Sequence, residues 1–181
     1  MREAIQKRYR QDQPVLTIEQ YFQGTTYAWG EFVDRFGKVR NYFEVIMKGR
    51  IEDNTLILDE DFIYDDGTAS NRLWKIKTLD DSHYEGQADD LIGLATGSSQ
   101  GNTFNWTYEM NLPIKGINWR VKFDDWLFLQ ENGQILNIAD VSKWGFRLGT
   151  LTFYFSKDAS LISASSLEKL QLSNTESEKE K

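Results

Sequence analysis

The chain contains no cysteine. Disulfides, thiol catalysis, thiolate zinc sites and cysteine lipidation are therefore excluded for this sequence. Its single histidine leaves too few nitrogen ligands for the common zinc sets. The glycine-rich stretch at 93–102 matches neither the phosphate-loop nor the dinucleotide-binding pattern. We accordingly predict no metal and no cofactor.

Long apolar runs and an excess of positive charge are also missing. No run approaches the roughly 18 residues of a membrane helix. The N-terminus, "MREAIQKRYRQDQP", lacks the apolar segment of a secretory signal. We therefore expect a soluble, unexported chain without a transmembrane segment. The net charge of −7 argues against nucleic acid as the main partner and against docking on anionic lipid.

Aromatic and β-branched residues are abundant instead. Aromatic residues occupy 14% of the 181 positions, which suits one globular domain with its own core. Short alternating apolar runs broken by Gly, Asn and Asp fill residues 21–157 and predict many antiparallel strands. Residues 1–20 are a polar lead-in that could hold a short helix. Residues 158–181 comprise an amphipathic segment, "SLISASSLEKLQL", and a solvated charged tail.

The first hairpin is predicted around a three-residue loop at 35–37. That loop places Trp29 opposite Phe43 and Val33 opposite Val39, so that one face becomes apolar. The glycine at the end of the loop lies where such a turn needs a left-handed residue.

A second hairpin follows the same rule around a loop at 65–67. It places Leu58 opposite Trp74 and Glu60 opposite Arg72, an opposite-charge pair within an otherwise apolar face. Two hairpins that obey one rule support each other's register.

The third hairpin allows two registers. Asn132-Gly133 favours a two-residue turn, whereas a three-residue loop keeps Trp126 opposite Ile138 and Phe128 opposite Leu136. A one-residue slip would exchange the two faces, so both registers stay open.

Further strands are predicted at 83–88, 103–112, 117–129 and 149–157, which gives eight to ten strands in all. The stretch at 93–102 is interpreted as a wide loop or a bulged strand. Consecutive hairpins favour an up-and-down meander, and closure removes its exposed edges. We predict an all-β fold, a small lipocalin- or calycin-like barrel with a short helical lead-in and a C-terminal amphipathic segment.

Charged residues within the apolar strand faces are the candidates for ligand binding or acid–base chemistry. The Glu60–Arg72 pair could orient a ligand head group or tune the ionisation of both residues. The interpretation that we favour is a buried ion pair that fixes the register. Asp125 interrupts the alternation of "INWRVKFDDWLFL". A bulge at that point would pass the apolar face to Trp126; without one, Asp125 points inward and needs hydrogen-bond partners.

Nucleophilic and metal-dependent catalysis find little support. His83, in "DDSHYEG", is predicted to be an exposed loop residue, and the sequence contains no G-x-S-x-G nucleophile elbow. The acidic run at 59–61 alternates across a strand and does not form a calcium loop. We predict no catalytic residue and no metal ligand. The side chains predicted to line a ligand site are Glu60, Arg72, Trp74, Asp125, Trp126 and Trp29.

Several motifs occur together and in order: "YFQGTTYAWGEFVDRFGKV", "LDEDFIYDDG", "RLWKI", "YEGQADDLIGLATGSSQGN", "FDDWLFL" and "SKWGFRLG". From Tyr21 to Lys157 the chain resembles the bacterial family catalogued as domain of unknown function 3833. The matching positions are Ala28, Trp29, Gly30, Asp34, Arg35, Gly37, Glu60, Asp66, Gly67, Arg72, Trp74, Gly101, Asn102, Asp124, Asp125, Trp126, Asn137, Lys143, Gly145 and Gly149.

The resemblance implies a lipocalin-like fold and association with the envelope of Gram-negative bacteria, often through a lipoprotein signal. It implies no activity and no catalytic residues. The acylated cysteine of that signal has no counterpart here, and Ile138 stands where the family pattern has an arginine.

Three hypotheses about function follow. The leading one is a non-enzymatic barrel that holds a small apolar or amphipathic ligand. The alternative is a structural or protein-interaction module of the bacterial envelope that docks through its acidic surface or its C-terminal segment. The second alternative is an enzyme that uses Glu60, Asp125 or His83, and it predicts a strongly raised carboxylate pKa.

Overall fold

Ten antiparallel strands form a closed barrel in the computed structural model, which describes residues 7–114 and 117–168. The strands are β1 Gly24–Asp34, β2 Val39–Glu52, β3 Thr55–Tyr64, β4 Ala69–Thr78, β5 His83–Gln87, β6 Ala95–Gln100, β7 Thr103–Ile114, β8 Ile117–Leu129, β9 Ile135–Lys143 and β10 Phe146–Ser156. Each strand pairs with its neighbour in the chain, and β10 closes on β1. The predicted fold class is confirmed, and the barrel has no open sheet edge.

The N-terminal segment closes one end of the barrel. A short helix, Ile18–Phe22, follows Leu16. The side chains of Leu16, Ile18 and Phe22 lie in the core and are 1–5% exposed. The Phe22 ring packs edge-on against Phe155 of β10, at a centroid distance of 5.6 Å. The predicted lead-in therefore contains a helix, but its last residues form part of the core. Residues 1–6 of the lead-in lie outside the described residues.

The predicted β3–β4 register is confirmed. Leu58 lies opposite Trp74 and Glu60 opposite Arg72, as the apolar face requires. Gly67 has a φ of +82°, which a glycine adopts without strain. Glu60 and Arg72 both point into the barrel.

The β8–β9 hairpin has the three-residue loop. Trp126 lies opposite Ile138 and Phe128 opposite Leu136, and the pairing of β8 with both neighbours continues without a shift. No bulge occurs at Asp125. This side chain therefore points inward, and Trp126 lies on the outer face, where its ring is 6.2 Å from that of Phe128.

The β1–β2 register is predicted correctly only at the turn. Val33 lies opposite Val39, but a bulge between Phe32 and Val33 shifts the pairing by one residue, so that Trp29 lies opposite Glu44 and not Phe43. The prediction for Trp29 is thus wrong.

The inner face of β1 explains this shift. A Cβ on Gly30 would lie 2.3 Å from the ring of Phe153, so only a glycine fits there. Ala28 and Gly30 therefore face inward on either side of Trp29, which faces outward against Tyr42 at a ring distance of 5.9 Å.

The glycine- and serine-rich stretch contains a regular strand, β6. Gly97 of this strand and Gly86 of β5 both face the indole of Trp106, and a Cβ on either would lie within 2.4 Å of that ring. The strands tolerate these glycines, despite their low β-propensity, because a residue without a side chain leaves room for the Trp106 indole.

The segment after β10 packs on the outside of the barrel. Ile162 lies against Ile46 and Ile63, and the backbone N–H of Ser163 donates to Glu44 at 2.9 Å. Residues 164–168 are helical. The remainder of the predicted tail, 169–181, lies outside the described residues.

Candidate functional site: a polar cluster inside the barrel

The end of the barrel opposite the helix is the open end. Inward-facing apolar side chains near the helix are almost fully buried, whereas those near the open end are only partly buried. The partly buried set at this end comprises Phe32, Phe62, Tyr64, Leu91, Leu112, Trp119, Leu148 and Leu151. The interior is therefore less completely covered at this end than beside the helix.

Among the described residues, Arg72 is the cation that points into the interior. Its Nη2 lies 2.8 Å from Asp90 Oδ2, and its Nη1 lies 4.0 Å from Glu60 Oε2. The guanidinium also lies 5.5 Å from the ring of Phe62 and 3.9 Å from the sulfur of Met110. The nearest counter-charge of Arg72 is thus Asp90, which belongs to the loop between β5 and β6.

A second carboxylate, Asp125, points into the same interior from β8. It accepts a hydrogen bond from the Asn137 amide of β9 and one from the Tyr108 hydroxyl of β7 at 3.4 Å. Asn137 also donates to the carbonyl oxygen of Trp126 at 3.1 Å. Asp125 is 9% exposed, so these donors replace the water that it has lost.

Burial changes the ionisation of both inward carboxylates. It raises the pKa of Glu60 to about 7, although the charge of Arg72 and a hydrogen bond from Trp74 lower it. Burial also raises the pKa of Asp125 to about 6, against the hydrogen bonds from Asn137 and Tyr108. The two acids hold protons at a pH at which exposed carboxylates are ionised.

The acids outnumber the cation in this cluster. In the part of the chain that the structure describes, Glu60 and Asp90 act on the charge of one arginine, Arg72, and Asp125 acts on that of Glu60. Among the described residues, the buried Oδ1 of Asp90 has no hydrogen-bond partner. A buried carboxylate oxygen normally has one, so this atom indicates a place where a donor is needed.

Aromatic rings form the wall beside the polar cluster. Trp74 contacts Tyr108 edge-on at 5.4 Å and Trp106 at 5.7 Å, and Tyr108 stacks on Phe123 at 4.9 Å. The interior therefore combines an apolar wall with a few fixed polar groups, the usual composition of a small-molecule site.

The predicted site residues divide into two groups. Glu60, Arg72, Trp74 and Asp125 come together inside the barrel. Trp29 and Trp126 lie on its outer face. The bulge at β1–β2 explains the position of Trp29, and the absence of a bulge in β8 explains that of Trp126.

Three polar residues of the cluster were not predicted as part of the site: Asp90, Tyr108 and Asn137. Asn137 could have been predicted from the sequence, because it is a polar residue at an inward position of β9 and matches the family pattern. Asp90 could not have been predicted in this way, because its position depends on the path of the β5–β6 loop.

His83 lies elsewhere. It begins β5 at the closed end, with its side chain 61% exposed and its Nδ1 2.9 Å from Asp80. The prediction of an exposed residue is confirmed. Within residues 7–114 and 117–168, no three His, Cys, Asp or Glu side chains are arranged to hold a metal ion. In the same ranges no helix is both long enough and apolar enough to cross a membrane.

The fold and its interior define a class, the closed up-and-down β-barrel with an inward polar cluster. The particular family follows from the sequence. The family described as a protein of unknown function (DUF3833) matches residues 2–157, and the chain belongs to it.

Two solved structures are similar. The S-type phycobiliprotein lyase CPES from Guillardia theta is 4% identical with a TM-score of 0.56, and the match covers 80% of this chain and 92% of that one. A redesigned β-barrel, mFAP1 bound to DFHBI, is 14% identical with a TM-score of 0.41, over 77% of this chain and 97% of that one. The likeness to the lyase is one of fold. No curated protein matches the sequence.

Proposed function

We propose that this barrel binds a small amphipathic molecule that enters through the open end and places its polar end on the inward acids. The observation that carries the proposal is the polar cluster itself. Glu60 and Asp125 are buried carboxylates turned into an aromatic-lined interior, and Asp90 of the β5–β6 loop pairs with the neighbouring Arg72. The likeness of fold to a phycobiliprotein lyase is consistent with a barrel that receives a small molecule.

The chemistry of the cluster selects the polar end of the ligand. Ionised carboxylates only accept hydrogen bonds, and Asp90 Oδ1 lacks a donor among the described residues. An amine or another N–H group would supply donors to these oxygens, and a positive charge would favour the ionised form of Glu60. A carboxylate or phosphate would add a further negative charge to three acids. We therefore propose a ligand whose polar end donates hydrogen bonds.

Isothermal titration calorimetry with three ligands of one chain length tests this proposal. The ligands are decylamine, decanol and decanoate, each below its micelle concentration. We expect the amine to bind most tightly and the carboxylate least. The variant E60Q is expected to reduce the preference for the amine, because the neutral amide offers a weaker acceptor.

The matched control is E85Q, at an outward position of β5. It removes one carboxylate of the chain and leaves the interior unchanged. If none of the three ligands binds, or if E60Q and E85Q bind all three alike, the proposal is wrong. Native mass spectrometry of protein from its own cells, followed by solvent extraction, identifies the natural ligand as a reproducible added mass.

Acid–base catalysis is a second candidate function, and the raised pKa of Glu60, about 7, favours it. A carboxyl that exchanges its proton near neutrality is suited to proton transfer with a bound ligand. Titration of the Glu60 side chain by carboxyl-detected NMR tests this candidate. A midpoint near the ordinary 4.5 would remove its basis.

A further inference from the structure

The most exposed apolar side chains of the protein gather at one place. Trp144 is 86% exposed, Phe36 78%, Phe146 70% and Ile117 64%; the other exposed large hydrophobics of the described chain reach at most 56%. All four lie at the open end, at the tips of the β1–β2, β7–β8 and β9–β10 hairpins. These tips are neighbours, because β1 pairs with β10 and β9 pairs with β8.

Two of the tips repeat one arrangement of side chains. The first reads Arg35-Phe36-Gly37 and the second Lys143-Trp144-Gly145. In each, a cation lies over the neighbouring ring: the Arg35 guanidinium is 4.7 Å from the centre of Phe36, and the Lys143 ammonium is 4.5 Å from that of Trp144. Each glycine has a positive φ, near +80°, so that the tip turns sharply and the ring projects from it.

The other side of the open end is acidic. The β3–β4 tip carries exposed Asp65 and Asp66, and the β5–β6 loop carries exposed Asp89. The net charge of −7 argues against anionic lipid as a partner for the chain as a whole, but at this end these exposed acids lie on the side away from the three tips. We call the three hairpin tips with Phe36, Ile117, Trp144 and Phe146 the aromatic arc. Arg40 and Arg147 beside it are paired with Asp34 and Asp140, whereas Arg35 and Lys143 are held over rings.

We propose that the aromatic arc docks on an anionic membrane surface. Tryptophan and phenylalanine at projecting tips insert among lipid headgroups, and nearby lysine and arginine are attracted to anionic lipid. A protein partner is the less favoured occupant, since the rings project singly from separate tips and do not form one packed patch. The arc is separate from the interior site, so this inference goes beyond the proposed function.

Co-sedimentation with vesicles tests the proposal on the full chain. The vesicles are phosphatidylcholine alone and an equimolar mixture of phosphatidylcholine and phosphatidylglycerol. We expect binding to the mixed vesicles that high salt weakens, and little binding to phosphatidylcholine. The variant pair F36S/W144S is expected to bind at least about tenfold more weakly.

Two matched controls make the result specific. The pair V15S/L79S removes exposed apolar side chains of 56% and 55% exposure that lie outside the arc, and it is expected to bind normally. The charge reversals R35E/K143E and K75E/K77E change the net charge equally, but only the first affects the arc. We expect a loss of about tenfold or more for the first and a clearly smaller loss for the second.

Quenching by bromine-labelled lipids locates the contact. Trp144 is expected to be quenched at the depth of the headgroups, and the variant W144F is expected to lose most of that quenching. Equal binding by F36S/W144S and V15S/L79S would overturn the proposal, as would a dimer in sedimentation velocity that F36S/W144S abolishes. Ligand binding is measured without vesicles, so the two proposals fail independently.

Discussion

Arg72 lies directly opposite Glu60 in the β3–β4 register, yet its guanidinium is closer to another acid. The distance is 2.8 Å to Asp90 and 4.0 Å to Glu60. The arginine thus ties a strand to the β5–β6 loop and compensates Glu60 only in part. This geometry explains why burial dominates the ionisation of Glu60 and why its pKa is raised to about 7.

The first prediction concerns the dependence of stability on pH. Glu60 has a pKa of about 7 in the folded chain and an ordinary value of 4.5 when unfolded. Between these values the folded state holds a proton that the unfolded state has released, so this residue lowers stability as pH rises from about 4.5 to 7. The variant E60Q is expected to be more stable than the parent at pH 8, by about 2–3 kcal/mol.

Urea unfolding from pH 4 to pH 8 measures this difference. The gain of E60Q is expected to shrink as pH falls and to vanish below the ordinary pKa of a glutamic acid. Asp125, whose pKa is raised from 3.8 to about 6, also lowers stability as pH rises. It does so in the parent and in E60Q alike, so it does not contribute to the difference between them. A gain that does not change with pH would contradict the assignment to Glu60.

The second prediction removes the cation. In the variant R72M, Asp90 and Glu60 lose their common counter-charge. We expect a loss of about 3 kcal/mol at pH 8 and a smaller loss at pH 5, where Glu60 is protonated. The control is R50M, whose ion pair with Glu52 is more than half exposed and is worth at most about 0.5 kcal/mol. Equal losses of R72M at both pH values would indicate lost packing on Phe62 instead of lost charge.

The fold could be predicted because its hairpins are local. The β3–β4 turn places a glycine where a left-handed residue is needed, and the two strands match on one apolar face. The β1–β2 bulge could not be predicted in this way. It depends on Gly30 against Phe153 of β10, and the sequence does not show which residue of a distant strand faces a given glycine.

The candidate site was predictable to the same extent. Glu60 and Arg72 follow from one hairpin, and the inward position of Asp125 follows once the bulge is ruled out. Asp90 approaches Arg72 only after the barrel has closed. Trp126 was assigned to the site because a bulge at Asp125 would have turned it inward. The strand has no bulge there, so the alternation places Asp125 inward and Trp126 outward. A residue's face can be predicted within one hairpin, but its partners across the barrel depend on closure.

The third prediction concerns the fit between glycine and tryptophan. A Cβ on Gly97 would lie 2.2 Å from the ring of Trp106, which Trp74 and Phe104 hold from other sides. The variant G97A is expected to cost about 1–3 kcal/mol because the ring has no room to move. In the background W106F the same substitution is expected to cost clearly less, and a double-mutant cycle measures the coupling. Additive effects would show that the strain lies elsewhere.

The fourth prediction concerns the closed end. Asn102 is 1% exposed; its Oδ1 accepts from the backbone N–H of Gln11 at 2.7 Å, and its Nδ2 donates to the carbonyls of Tyr9 and Leu129 at 2.9 Å. The variant N102A is expected to cost about 2–3 kcal/mol, because these backbone groups lose their partners in a buried place. Hydrogen exchange at Gln11 is expected to accelerate more than in the barrel strands. The control N132A, in the exposed β8–β9 turn, is expected to leave exchange at Gln11 unchanged. Equal exchange at Gln11 in both variants would mean that the N-terminal segment is held by its apolar contacts alone.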